Sequence, residues 1–194
     1  TGTGQVAVVA SQAGDDYWAA APPVTNVFAV FKLPAAVFLH DLAQTYDGTA
    51  RTASATTDPA GLAVEITYDG QGAAPTNAGT YAVTGTIAEA NWEGTTNGIL
   101  VVAPADQTID FPAIGDQWIT NSVGLSASAD SGLNVEFSVA SGPAQLADGT
   151  NLTFTGTGQV AVVASQAGDD YWLPADSVTN VFAVSKVPAA VFLQ

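Results

Sequence analysis

An all-β fold, built as tandem β-sandwiches, is predicted by three observations on this sequence. Apolar residues alternate with polar ones at period two, and no stretch sustains an apolar period of 3.6. Gly, Pro, Asn and Asp interrupt these runs roughly every 8–12 residues, the spacing of a sandwich or barrel. The third observation is a repeat: TGTGQVAVVASQAGDDYW occurs twice without change, at 1–18 and at 155–172. VTNVFAV at 24–30 returns at 178–184, and PAAVFL at 34–39 returns at 188–193. At an offset of 154, residues 1–40 and 155–194 agree at 33 of 40 positions. Self-similarity at a fixed period is the mark of a repeat array. The 194 residues are therefore expected to be a window of a longer array.

Taken in order, residues 1–33 open on a Gly-rich turn, TGTG, followed by the apolar run QVAVVAS. A loop, QAGDDYWAAAPP, leads to a second run, VTNVFAVFK. In the second copy the same elements close a longer unit that begins near Ala105. The first copy has no counterpart of 105–154, so a half-domain with a bare sheet edge and a bare core face is expected. Residues 34–103 form a different module. PAAVFL (34–39) is a short strand and TYDGTA (45–50) a turn. LAVEITYDG (62–70) alternates with Val64, Ile66 and Tyr68 on one face and Glu65, Thr67 and Asp69 on the other. TYAVTGTIA (80–88) turns Tyr81, Val83 and Ile87 inward, and GILVV (98–102) ends the module at Pro104. Asp47-Gly48 and Asp69-Gly70 are turn signals with a backbone cause, because Gly and Asp tolerate positive φ.

Residues 104–186 continue in the same manner. Leu125, Ala127 and Ala129 share a face, as do Val135, Phe137 and Val139, with Glu136 and Ser138 opposite. Leu152 and Phe154 alternate with Thr153 and Thr155, and Val160 and Val162 lie in the returning strand. VPAAVFLQ (187–194) restarts the first strand of the 34–103 module.

Composition limits the function. Hydrophobic residues make up 47% of the chain, enough for packed cores. Three cations (Lys32, Arg51 and Lys186) face 18 Asp and Glu, a net charge of −15. Such a surface repels phosphate backbones and has no polybasic patch for anionic lipid, so no nucleic-acid partner is expected. No apolar run approaches about 18–20 residues, and no membrane insertion is expected. Cysteine is absent, which excludes disulfides and thiol chemistry. Acidity of this degree suits a secreted, crowded polymer that must stay soluble.

Two stretches resemble bacterial repeat modules. LHDLAQTYDGTA, DPAGLAVEITYDGQGAAPTNAGTYAVTGTI, NWEG and GILVV are similar to the MBG/YDG-type module of large bacterial surface proteins, TYDG at 45–48 and APTNAGTY at 74–81 being the most specific marks. QTIDFPAIGD (107–116), VGLSASADSGLNVEFSVASGPAQL (123–146), LTFTGTGQVAVVASQAG (152–168) and VTNVFAVSK (178–186) resemble bacterial Ig-like repeats. The resemblance implies secreted, multi-domain adhesins, stalks or fibres, with no catalytic residues to carry over. It divides the chain into the C-terminal part of an Ig-like domain (1–33), an MBG-like module (34–103), an Ig-like sandwich (104–186) and the start of the next module (187–194).

Chemistry is sparse. His40 is the single histidine and is replaced by Gln194 in the second copy, which leaves no basis for a Ser-His-Asp or His-zinc site. No enzyme and no cofactor are expected. The acidic pairs Asp15-Asp16 and Asp169-Asp170, each beside a glycine on a loop, are calcium candidates, although the spacing of a calcium-binding loop is missing. Tyr17, Trp18, Tyr171 and Trp172 follow those acids and are expected to pack between domains, with sugar stacking as the alternative. Lys32 and Lys186 stand at equivalent hand-over points between modules. The expected function is a structural repeat unit of an extracellular bacterial fibre, stalk or surface array, partnered by copies of itself. The alternative is a spacer or glycan- or cell-binding region of a large surface adhesin.

Overall fold

The computed structural model describes residues 2–189. Among them every regular element is a strand, as the alternation requires, and no helix is long and apolar enough to cross a membrane. The fold class is all-β, as expected from the sequence. Cα proximity divides the chain into two units, one of Thr1–Gln44 and Gly48–Val102, the other of Thr45–Asp47 and Ala103–Gln194.

In the first unit β1 (Gly4–Gln12) and β2 (Ala21–Val30) form a two-stranded antiparallel hairpin. Then follow β3 (Leu33–Pro34), β4 (Ala36–His40), β5 (Ala43–Thr45), β6 (Ser54–Asp58), β7 (Val64–Tyr68), β8 (Gly79–Ile87), β9 (Trp92–Glu93) and β10 (Thr95–Ala103). Strands β5-β10-β8-β7 make a four-stranded sheet, β4 pairs with β6, and β3 runs parallel to β9. Val37, Tyr68, Val83, Ile87, Leu100 and Val102 are buried between these layers, the faces that period-two alternation assigns inward. Two glycines let the layers approach. A Cβ on Gly85 would stand 3.1 Å from Leu39 Cδ2, and one on Gly98 would stand 3.1 Å from Leu39 Cδ1, so the Leu39 side chain occupies the space they vacate. The buried Tyr68 hydroxyl is satisfied by the Ala53 N–H at 2.8 Å. Asp69 and Gly70 (φ 48° and 79°) form the two-residue turn their sequence announces, closed by hydrogen bonds between Tyr68 and Gln71 in both directions.

The second unit contains β11 (Ile109–Asp110), β12 (Gln117–Trp118), β13 (Ser122–Gly124), β14 (Ser128–Ala129), β15 (Glu136–Ser141), β16 (Ala144–Ala147), β17 (Asn151–Phe154), β18 (Gly158–Ser165) and β19 (Val178–Ser185). One sheet has the order β12-β19-β18-β15 and another the order β13-β17-β16, with β11 and β14 paired separately. Phe111, Leu125, Leu152, Val160, Val162, Ala164, Phe182 and Val184 form one core cluster, joined by the edge-on ring pair Phe154–Phe182 with centroids 5.9 Å apart. This is a β-sandwich built on side chains from both inner faces. The strand expected to restart within 187–194 falls mainly on residues outside the described ones; Val187–Ala189 carry no strand.

Candidate functional site

Nothing in the chain is duplicated as closely as the two hairpins, so the candidate site is built from them. β1 and β18 have the same sequence, and so do the paired parts of β2 and β19. The identical residues share one register: Gly4 faces Val30 and Ala10 faces Val24 in one hairpin, as Gly158 faces Val184 and Ala164 faces Val178 in the other, and the first hairpin adds a Gln12–Ala21 pair beyond a bulge. The connecting loops agree as well. Asp15 Oδ1 accepts from the N–H groups of Tyr17 (2.9 Å) and Trp18 (2.8 Å), while the Asp15 N–H donates to the Trp18 carbonyl. Asp169 Oδ1 accepts from Tyr171 (2.8 Å) and Trp172 (2.9 Å) in the same way. Gly14 and Gly168 adopt φ of 78° and 77°, and a Cβ at either would strike the carbonyl of Trp18 or Trp172.

The surroundings differ completely. Val160, Val162 and Ala164 are 0% exposed, Phe182 4% and Val184 3%, whereas their counterparts Val6, Val8, Phe28 and Val30 are 39%, 54%, 52% and 37% exposed. Both edges of the β18–β19 hairpin are paired, by β15 and by β12, whereas among the described residues the β1–β2 sheet has two strands. Hydrogen bonds also tie residues 105–131 to the second copy. Asp116 Oδ1 accepts from the Ala183 N–H (2.8 Å), and Asn180 Nδ2 donates to the Pro112 carbonyl (2.9 Å). Buried Gln107 donates from Nε2 to Gln166 Oε1 (2.6 Å) and to the Leu173 carbonyl (2.7 Å), and accepts from Ser131 Oγ. Ala105 exchanges backbone hydrogen bonds with Tyr171 and Leu173.

The sequence-predicted residues are placed as follows. Asp15 and Asp169 each commit one carboxylate oxygen to their own loop, and among the described residues no group of three or more His, Asp or Glu converges as a metal site. Asp16 and Asp170 are exposed. Tyr17 and Trp18 are 91% and 73% exposed. Tyr171 and Trp172 are half-buried against Tyr46, at centroid distances of 5.1 and 5.8 Å. Lys32 Nζ donates to the Glu89 carbonyl (2.9 Å), and Lys186 is exposed. His40 is exposed on β4 beside Thr56 Oγ1 at 2.8 Å. Trp92 is half-buried in the first unit and Trp118 is 44% exposed in the second. Sequence reasoning did not single out Tyr46, Gln107, Asp116 or Asp130. Asp130 clasps Thr108 by its N–H (2.9 Å) and its hydroxyl (2.8 Å), and those hydrogen bonds, the backbone one foremost, hold its carboxyl below the usual carboxylate range.

Comparison with known proteins bears on the first unit. Residues 35–106 match the MBG domain family. That span contains the TYDG and APTNAGTY marks, so this resemblance stands. No curated protein matches the chain. Among solved structures it is similar to Drosophila N-cadherin EC1-4 at 11% identity and a TM-score of 0.40, covering 96% of this chain and 58% of that one. A SusE-like surface-located polysaccharide-binding protein from the Bacteroides thetaiotaomicron heparin utilisation locus is similar at 15% identity and a TM-score of 0.32, with 80% of this chain and 34% of that one covered. A Bacteroides ovatus SGBP-B in complex with a mixed-linkage heptasaccharide follows at 18% identity and a TM-score of 0.28, covering 76% and 43%. The chain thus spans little more than half of the cadherin fragment and about a third of the SusE-like protein. At these scores the likenesses say nothing of what this chain binds.

Proposed function

We propose that this chain is a stretch of an extracellular or cell-surface tandem array in which MBG domains alternate with Ig-like sandwiches. Each repeat of about 154 residues serves as a mechanical building block of a fibre, stalk or surface layer. A single observation carries this reading: one sequence, present twice, is sandwich core at 158–184 and bare hairpin at 4–30. A hairpin alone is marginal in water, and burying its apolar face is what stabilises it. Side chains patterned for a core, with no core around them, fit a chain whose repeats complete one another. The net charge of −15 keeps such a polymer dispersed.

The test uses an antibody raised against this chain on cells that produce the native protein. Protease treatment of intact cells is followed by a denaturing gel. The expected result is a species far larger than 19.5 kDa that disappears when protease is added outside the cells. A species near that mass, or one protected until the cells are lysed, would overturn the proposal.

A further inference from the structure

We infer that the bare face of the β1–β2 hairpin is a docking surface for the strands spanning residues 104–154 of another copy of this repeat. The chain itself supplies the template. Residues 109–154 cover β18 and β19 with Phe111, Leu125 and Leu152, flanked by half-buried Ile109, Phe137 and Phe154. Every group they meet on the second hairpin has its twin on the first. Val160, Val162, Ala164, Phe182 and Val184 correspond to Val6, Val8, Ala10, Phe28 and Val30. Asn180 and Gln166 correspond to Asn26 and Gln12, and the Ala183 N–H that meets Asp116 corresponds to that of Ala29.

The differences between the copies are as informative as the identities. Among described residues they fall at 173, 174, 176, 177, 185 and 187, where Leu, Pro, Asp, Ser, Ser and Val stand against Ala19, Ala20, Pro22, Pro23, Phe31 and Leu33. All six are exposed in the completed sandwich. Substitution is confined to positions that the covering strands do not bury, so the first hairpin presents the same complementary face and, over Gly4–Ala10 and Val24–Val30, the same register. The occupant must be a 104–154 segment whose own hairpin is not seated. Exchange between two whole copies would only trade one bare hairpin for another and yields no net burial. The proposal relies on the array reading only for the source of that second copy, and cell fractionation can fail without affecting it.

The experiment extends the full chain by fusing a second copy of residues 104–154 directly before Thr1, which recreates the 154–155 junction. Hydrogen exchange is followed in peptides from 19–33 and 173–187, whose sequences differ and so report β2 and β19 separately. The expected outcome is slowing of β2 exchange to within about tenfold of β19, with the unextended chain remaining fast in β2. Phe28→Ala should cut that slowing by about a hundredfold or more in the extended chain. Should the extended chain fail to fold, the same exchange measurement is made on the full chain after adding the 104–154 fragment. Absence of β2 slowing in both formats would overturn the inference, as would slowing that Phe28→Ala leaves intact.

Discussion

Phe28 and Phe182 occupy the same place in the same sequence, so one substitution made at each isolates what the tertiary environment contributes. Phe182 is 4% exposed in the core of the second unit and meets Phe154 edge-on at 5.9 Å, whereas Phe28 is 52% exposed. Truncating a buried Phe removes its transfer free energy and leaves a cavity, a cost of about 3–5 kcal/mol. The same truncation on an exposed strand stays within about 0.5 kcal/mol. For an unfolding slope of about 1–2 kcal/mol per molar urea, Phe182→Ala lowers the midpoint of the second unit by about 1.5–5 M. Since whole domains have only about 5–15 kcal/mol of stability, that change removes about a fifth of it or more. Phe28→Ala shifts the midpoint by less than about 0.5 M. The assay is urea denaturation followed by tryptophan fluorescence, with Phe182→Ala in a Trp18→Phe, Trp92→Phe background that leaves Trp118 and Trp172 in the second unit, and Phe28→Ala in a Trp118→Phe, Trp172→Phe background that leaves Trp18 and Trp92 in the first. Equal midpoint losses for the two variants would refute the contrast, and so would an unchanged midpoint for Phe182→Ala.

Four further outcomes are expected. Because the folded state holds the Asp130 carboxyl below its ordinary range, its contribution is complete above about pH 4 and is lost as pH falls through the lower folded value. Asp130→Asn should flatten the acid limb of the second unit's pH–stability curve, measured by urea melts from neutral to strongly acidic pH. Gly168→Ala places a Cβ at a φ of 77° and against the Trp172 carbonyl, costing about 1–2 kcal/mol or more in the second unit, while Gly14→Ala leaves that unit's melt unchanged. Tyr46→Ala removes the ring on which Tyr171 and Trp172 rest; a loss of about 1–2 kcal/mol and a red-shifted Trp172 emission are expected. Calcium at about 1 mM, compared with excess chelator, leaves the thermal midpoint of the second unit unchanged, because the Asp169 carboxylate is engaged with its own loop.

Much of the fold was legible because strand periodicity is local. Val64, Ile66 and Tyr68, or Val135, Phe137 and Val139, declare a face by alternation alone, and Asp69-Gly70 declares its turn by the backbone angles those residues tolerate. The site was legible only in part. The sequence places Asp15 and Asp169 on matching loops, but which N–H groups the backbone turns toward their Oδ1 atoms is visible only in three dimensions. Gln107 and Tyr46 lie in motifs the sequence displays, but nothing local announces their contacts: the first acts on residues 59 and 66 positions away, the second lies against rings more than a hundred positions along the chain.

By itself the sequence determined the all-β class, the inward faces, the turns, the duplication and the local conformation of both hairpins, since each depends on residues near one another along the chain. The missing counterpart of 105–154 also announced a bare first hairpin; only the tertiary structure decided which residues cover the second copy and that Tyr46 lies against its Tyr171 and Trp172. Burial is a property of what lies opposite. Phe182 and Phe28 share every local preference, and what separates 4% exposure from 52% is the presence of Phe111, Leu125 and Leu152 across the gap.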